Sequence, residues 1–470
     1  MSTRSTGSRV RRRSRPTVGQ RARATAPPVF AVLVLALAFV LPDGTDDDRP
    51  PGPVSVFRST YACPGGDGIS VTAGQVLRGR AATAQSLPDR EPVDDFDDAA
   101  RWRRATVDTD ALVVEQRGQG SGAVGFFTQN AAKAAGGGLV VGSCPPTVDD
   151  SWFLGAGSDN KHQSTLALTN LSSSPAVADL SFWGAQGRID AIDAEGIVVE
   201  PYTVRRIDLR EFAAGEAELA VRVDRRRGSL AVSALDASTA VFRGTESLAP
   251  TDPPKRSQVV AGIPSGSDRR TLFVLNPSTS TARVSVEVIG AKGSFAPKGL
   301  ESVKVDAGQF KEVAVPQSAG AGHAALRLRS DQPISASVRS ASSTTDQAVA
   351  EAVPQLDGAA IVPVDLGSDT QAPELVLSAP RRQGVARLEA FDAQMRSLAT
   401  TDVTIGAGTT KSVDLGSTEV LDAKDVAYVV MRAKGDVIGA ATYRQGKQIA
   451  SLALTAAPVT VLGPQVRPVG

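Results

Sequence analysis

The chain has 470 residues and a net charge of +1, with 21% charged and 41% hydrophobic residues. That balance excludes a disordered chain, and at roughly 100–150 residues per domain the length suggests three or four domains. Aromatics are only 4%, so the cores must rest on Val, Leu, Ile and Ala.

The charge is unevenly placed. Residues 1–23 form a basic tail with eight arginines (Arg4, Arg9, Arg11, Arg12, Arg13, Arg15, Arg21 and Arg23) and no acid, which leaves the rest of the chain at −7. An acidic body argues against nucleic-acid binding. Residues 24–41 carry no charge and end in Val-Phe-Ala-Val-Leu-Val-Leu-Ala-Leu-Ala-Phe-Val-Leu41. As a helix they would span about 27 Å, close to the hydrocarbon thickness of a bilayer. Arginines before the run and Asp43, Asp46, Asp47 and Asp48 after it orient the N-terminus to the cytoplasm. We read 24–41 as a single transmembrane signal anchor with the body outside. The alternative is a secreted protein whose signal is cleaved, but the small-x-small triplet Ala36-Leu37-Ala38 lies inside the apolar run. Residues 42–53, rich in Pro, Gly and Asp, form a stiff spacer.

Beyond the spacer, short apolar alternations are broken by Gly, Pro, Ser, Asn and Asp, with no helical period of useful length. This is all-β patterning. A motif read as a hairpin starts at Ala111, Ala217, Ala324 and Ala427, at steps of 106, 107 and 103 residues. A second marker, Leu166-Ala-Leu-Thr-Asn170, matches Leu272-Phe-Val-Leu-Asn276 and Leu375-Val-Leu-Ser-Ala379, and Thr60-Tyr-Ala-Cys63-Pro64 takes its place in the first copy. A third is Leu180-Ser-Phe-Trp-Gly184, matched by Val286-Glu-Val-Ile-Gly290 and, more loosely, by Leu388-Glu-Ala-Phe-Asp392. The reading is four β repeats: an incomplete one at 54–146, lacking a counterpart of the strand at 151–156, then 151–247, 258–345 and 359–463. Seven strand candidates lie in the second copy, at 151–156, 164–170, 176–184, 196–201, 204–209, 217–224 and 230–238. That number of short strands suits tandem immunoglobulin-like β-sandwiches. A barrel or propeller is the alternative, although propeller blades are usually about half this length. The Asn170 and Asn276 elements read as turn chemistry, Asn tolerating left-handed angles and bonding its own chain.

Cys63 and Cys144 are even in number and lie on the outer side, so a disulfide is expected. Two lone cysteines cannot make a four-ligand zinc site. Gly155-Ala-Gly157 lacks the following helix that a phosphate cradle needs. Ser158 and Lys161 stand at Ser-x-x-Lys spacing without partner motifs. His162 and His323 fall at unrelated places in their copies; His162 reads as solvated in a polar turn, and His323 opens a strand. Asp94, Asp95, Asp97 and Asp98 lack a calcium-loop pattern and read as a solvated loop. Trp102, Trp152 and Trp183 offer sugar-stacking surfaces if exposed, but Trp152 and Trp183 sit in strand patterns where core packing is usual.

Several of these elements go together: the Arg-rich anchor, Cys63-Pro64 and Cys144-Pro145, Ser151-Trp-Phe-Leu-Gly-Ala-Gly157, and Leu-x-Leu-Thr-Asn170 followed by Ala176-Val-Ala-Asp-Leu-Ser-Phe-Trp-Gly184. Over most of residues 54–460 the chain resembles an actinobacterial family of anchored or secreted proteins carrying a domain of unknown function, DUF5719. The resemblance implies an envelope location and supplies no catalytic residue. The expected protein is therefore non-enzymatic, a binding or spacing scaffold with an envelope protein or cell-wall partner, and without cofactor or metal. A wall-glycan-binding module and an envelope hydrolase are the alternatives.

Overall fold

A computed structural model describes residues 53–462 apart from 56–57, 76–81, 94–101, 119–121, 130–135, 240–242, 268, 320–321, 343–345, 368–369, 418–420, 422 and 458–459. The apolar run 24–41 and the acidic cluster Asp94–Asp98 lie outside the described residues. Among those described, no helix is long and apolar enough to cross a membrane.

The described residues are all-β, and residues 53–461 form one compact unit. Its strands pair in a pattern seen most fully between residues 150 and 248. Leu219–Arg227 lies between Asp150–Ala156 and Ala176–Gly184 in one sheet. His162–Asn170 lies between Val204–Asp208 and Leu230–Thr239 in the other, and Arg243–Leu248 adds to its edge. Alternation explains the layering: Phe153, Leu180, Val221 and Val223 of the first sheet meet Leu166, Leu168, Val232 and Ala234 of the second in a single core. The same pairings join residues 255–351 and 359–453.

The hairpin expectation is corrected here. The motif at Ala217, Ala324 and the matching starts is not a hairpin. Leu219–Arg227 and Leu230–Thr239 pair in opposite sheets and face each other across the core. Both strands carry an apolar face, and the chain after Arg227 crosses over to bury them against one another. Between 324 and 342 the crossing needs no break at all, because one strand, Ala324–Ser342, serves both sheets.

The first block is also more complete than expected. Arg58–Pro64 pairs with Ala111–Arg117 as Asp150–Ala156 pairs with Leu219–Arg227, and it is Ile69–Gln75 that lies between Arg103–Thr106 and Ala123–Gln129. Thr60–Pro64 is therefore the counterpart of the strand at 150–156, not of 166–170. Each block also ends in a further pairing strand, which in the second block was absent from the seven candidates: Val140–Ser143, Arg243–Leu248, Asp346–Glu351 and Gln448–Ala453. In the third block this pairing extends past residue 345, through Asp346–Glu351.

Asn170 and Asn276 are fully buried and are not left-handed. The Asn170 amide donates to the carbonyls of Ser174, Val199 and Glu200 at 2.8–3.1 Å, and Asn276 donates to Ser280, Val305 and Asp306 at 2.8–3.1 Å. Each amide ties two turns together, and its oxygen accepts from the backbone two residues on, Ser172 N at 2.9 Å and Ser278 N at 3.2 Å, so the turn chemistry holds and the left-handed angle does not.

Candidate functional site

The last strands of the four blocks meet. Val140–Ser143 touches Arg243–Leu248 and Gln448–Ala453, while Asp346–Glu351 touches Arg243–Leu248 and Gln448–Ala453, so the blocks close into a ring. Three joints are largely apolar. Trp152 and Trp183 stack at 5.4 Å and pack with Phe273, Leu275 and Phe310 between the second and third blocks. Ala261, Ile289 and Ala325 meet Ile438 between the third and fourth. Trp102 stacks on Tyr428 at 4.8 Å between the first and fourth. All three tryptophans are buried, 6–7% exposed, and present no open platform to a sugar.

The centre of the ring is polar. The Asp346 carboxylate accepts from Leu139 N at 3.0 Å and Ile449 N at 2.8 Å, joining the first, third and fourth blocks. The Gln347 amide donates to the Gly244 carbonyl at 3.2 Å, bringing in the second. Glu351 accepts from Ala249 N at 3.0 Å. Burial lifts Asp346 to about 6, against three backbone N–H bonds that favour its ionised form. Burial lifts Glu351 to about 8. Glu246 is pushed well above the usual carboxylate range, first by burial and then by Asp346, Glu351 and Asp236.

These shifts set a pH dependence. Unfolded, a glutamate titrates near 4.3, so between that value and about 8 the unfolded chain releases a proton that folded Glu351 retains. Stability therefore falls as pH rises through this window, by roughly 3–4 kcal/mol at pH 7 for this one group. Glu351→Gln imitates the neutral acid and keeps an acceptor for Ala249 N. It should raise the melting temperature at pH 8 and make no difference at pH 4, which thermal melts across that range will read.

Arg339 is the cation buried with this cluster. Its guanidinium donates to Glu218 and to the Gly155 carbonyl, stands 3.5 Å from Asp236, and lies over the Phe273 ring at 5.0 Å. Burial alone would lower its pKa, but Glu218 and Asp236 raise it and hold it charged. Gly155 is a bulge at φ +92°, the point where the register of its strand shifts, and the bulge carries the carbonyl that receives Arg339. Gly157 has a different reason: a Cβ there would lie 1.8 Å from His162 Nδ1. The Gly-x-Gly is a joint between blocks.

His162 is buried at 5% exposure instead of solvated, at the start of the strand His162–Asn170. Burial lowers its pKa and so favours the neutral ring. Its strand neighbour Ser164 donates to Asp236 at 2.6 Å and accepts from Gly157 N at 2.7 Å. Ser158 is buried with its hydroxyl on the Ala213 carbonyl, whereas Lys161 is exposed, so the Ser-x-x-Lys spacing makes no pair. His323 lies at another joint, its Nε2 2.9 Å from Glu374. The structure does not bring His162 and His323 into one site. Cys63 and Cys144 form a disulfide. Among the described residues, no group of three His, Cys, Asp or Glu side chains is placed to hold a metal ion.

The model of the family of unknown function DUF5719 matches residues 103–416, and the chain belongs to that family. No curated protein matches it.

Proposed function

We propose that this family member is a non-enzymatic, extracytoplasmic envelope protein. Residues 24–41 anchor it in the membrane, and a ring of four β-sandwiches acts as a binding or spacing scaffold for an envelope protein or wall component. The observation that carries the reading is the closed ring with its buried joints. Aromatic stacking, the Arg339 cluster and the Asp346 bridges fix the blocks relative to one another, which is what a platform requires and what separate beads on a string lack. The reactive side chains support the same reading, since His323 braces a joint and the cysteines are bridged.

We take the four blocks as repeats of one immunoglobulin-like sandwich with a topological difference. In the second block His162–Asn170 pairs with Val204–Asp208 and Ala176–Gly184 with Leu219–Arg227, as the matching inner strands do in immunoglobulin domains. Asp150–Ala156, however, lies beside Leu219–Arg227, and Leu230–Thr239 beside His162–Asn170, so these two outer strands have exchanged sheets.

The test is topology in the cells of origin. Protease added to intact cells stripped of their wall should remove an epitope at Gly470 and spare one at Met1. Protection of the Gly470 epitope would overturn the reading. A complementing His323→Gln variant should keep function; loss of function in a folded variant would return a chemical role to that residue.

A further inference from the structure

The joint between the first and second blocks differs from the other three. It holds a cleft of about 460 Å³ whose floor is the outer face of the sheet formed by Arg58–Pro64, Ala82–Leu87 and Ala111–Arg117. In place of aromatic or alanine packing, that face presents Thr60, Thr83, Gln85 and Glu115 around Val113, with Arg58 and Arg117 at its rim. Glu115 is ion-paired to both arginines. Burial pushes its pKa up, but the two arginines outweigh burial and keep it ionised. It orders Arg58 and Arg117 without cancelling the site: with Arg90, three cations face one carboxylate.

Across the cleft stands Tyr202, whose ring carries the Arg90 guanidinium at 4.1 Å. Both residues are left-handed, Arg90 at φ 61° and Tyr202 at φ 56°, although neither is glycine. Tyr202 is the third residue of the turn in which Thr203 N bonds the Glu200 carbonyl. In the matching turns of the third and fourth blocks the same place is taken by Gly308 and Gly408, both at φ +68°. Glycine meets this backbone requirement without strain; here alone among the three turns a bulky ring is kept in its place. What the ring does there is hold Arg90 over the cleft. No carboxylate among the described residues pairs with Arg90.

We propose that this cleft binds a small polyhydroxylated anion, of the size of a uronic acid or a sugar phosphate. The arginines take the charged group, and Thr60, Thr83 and Gln85 take the hydroxyls. The inference rests on the reading of the body as a binding scaffold, but it is measured in vitro and is independent of where the chain resides.

The experiment is calorimetric titration of the full-length protein, in mild detergent, with glucuronate, glucose 6-phosphate and glucose. At least one of the two anions should bind about tenfold or more tighter than glucose, and whichever binds tighter shows whether carboxylate or phosphate is preferred. Arg90→Gln should weaken that anion about tenfold. Tyr202→Gly, which supplies the residue the backbone prefers, should keep or raise the melting temperature and still weaken binding. Equal binding of anion and glucose, no anion binding at all, or unchanged affinity in Tyr202→Gly would each overturn the assignment. Binding of a glutamate-rich decapeptide in place of both anions would overturn it in favour of a protein partner. None of these failures would alter the protease result that judges the scaffold reading.

Discussion

Arg339→Met is expected to lower the unfolding free energy by about 3–5 kcal/mol, because removing one member of a buried ion pair strands the other. Arg339 is completely buried, and its ion-pair partners Glu218 and Asp236 are 13% and 0% exposed. Without the guanidinium, two carboxylates face each other in a dry site, and the Gly155 carbonyl, turned out of its ladder by the bulge, loses its donor. The damage should appear first at the joint between the second and third blocks. There Phe273 lies under the guanidinium and packs in the same cluster as the stacked Trp152 and Trp183. Urea unfolding followed by tryptophan fluorescence reads both the loss of stability and any separate early transition at this joint. Burial already lifts Glu218 to about 8 beside the guanidinium, so without Arg339 it takes up a proton. Adding Glu218→Gln to Arg339→Met, which imitates that neutral acid, should therefore change the stability little at pH 7. A change of less than about 1 kcal/mol for Arg339→Met would mean that apolar packing alone holds the joint.

The parts of this fold legible in the sequence were those governed by alternation. His162–Asn170, Ala176–Gly184 and Leu230–Thr239 carry inward apolar residues at every second place, and the strands expected at 164–170, 176–184 and 230–238 lie within them. What alternation cannot give is which sheet a strand joins. The segments 219–227 and 230–239 look the same whether they pair side by side or face each other across a core, and short linkers favour the hairpin reading. Two of the last strands escaped for another reason. Arg-Gly-Thr-Glu-Ser-Leu248 and Asp-Gln-Ala-Val-Ala-Glu351 are buried on both faces among polar partners, so they show neither alternation nor an apolar run. Gly157 and His162 were read separately as a turn and a solvated side chain; only the fold shows that the glycine makes room for the ring. One signal for the cleft did lie in the sequence: the turn position held by Gly308 and Gly408 is Tyr202 in the second block. Read against the 106-residue step, that exchange marks a place where backbone comfort gives way to a side chain.

Replacing both Cys63 and Cys144 by alanine is expected to cost about 2–5 kcal/mol, since the bridge closes a long loop in the unfolded chain. The two cysteines are 81 residues apart, with Cα atoms 4.4 Å apart. Loop closure of that length corresponds to about 4.5 kcal/mol in the chain-entropy account. The bridge also joins the two sheets of the first block: Cys63 belongs to the strand Arg58–Pro64, and Cys144 N bonds the Gly125 carbonyl of the opposite sheet at 2.8 Å. Gly125 is small for this reason, because a Cβ there would stand 2.9 Å from each sulfur. The first block has the greatest need of such a tie. Among the described residues one of its sheets has three strands, and its contacts to the second block include exposed ion pairs such as Arg206 to Asp110, which contribute little. The segment matched by the family model begins at residue 103, so the bridge secures residues before the matched region to residues within it. Loss of the bridge should therefore loosen Arg58–Pro64 before the rest of the ring unfolds, and with it the cleft that faces Tyr202. Hydrogen exchange comparing the double-alanine variant with the oxidised protein should show lost protection in residues 58–64 and 111–117 while residues 219–239 stay protected. Uniform loss across the ring would instead mean that the four blocks unfold as one, with the bridge stabilising all of them equally.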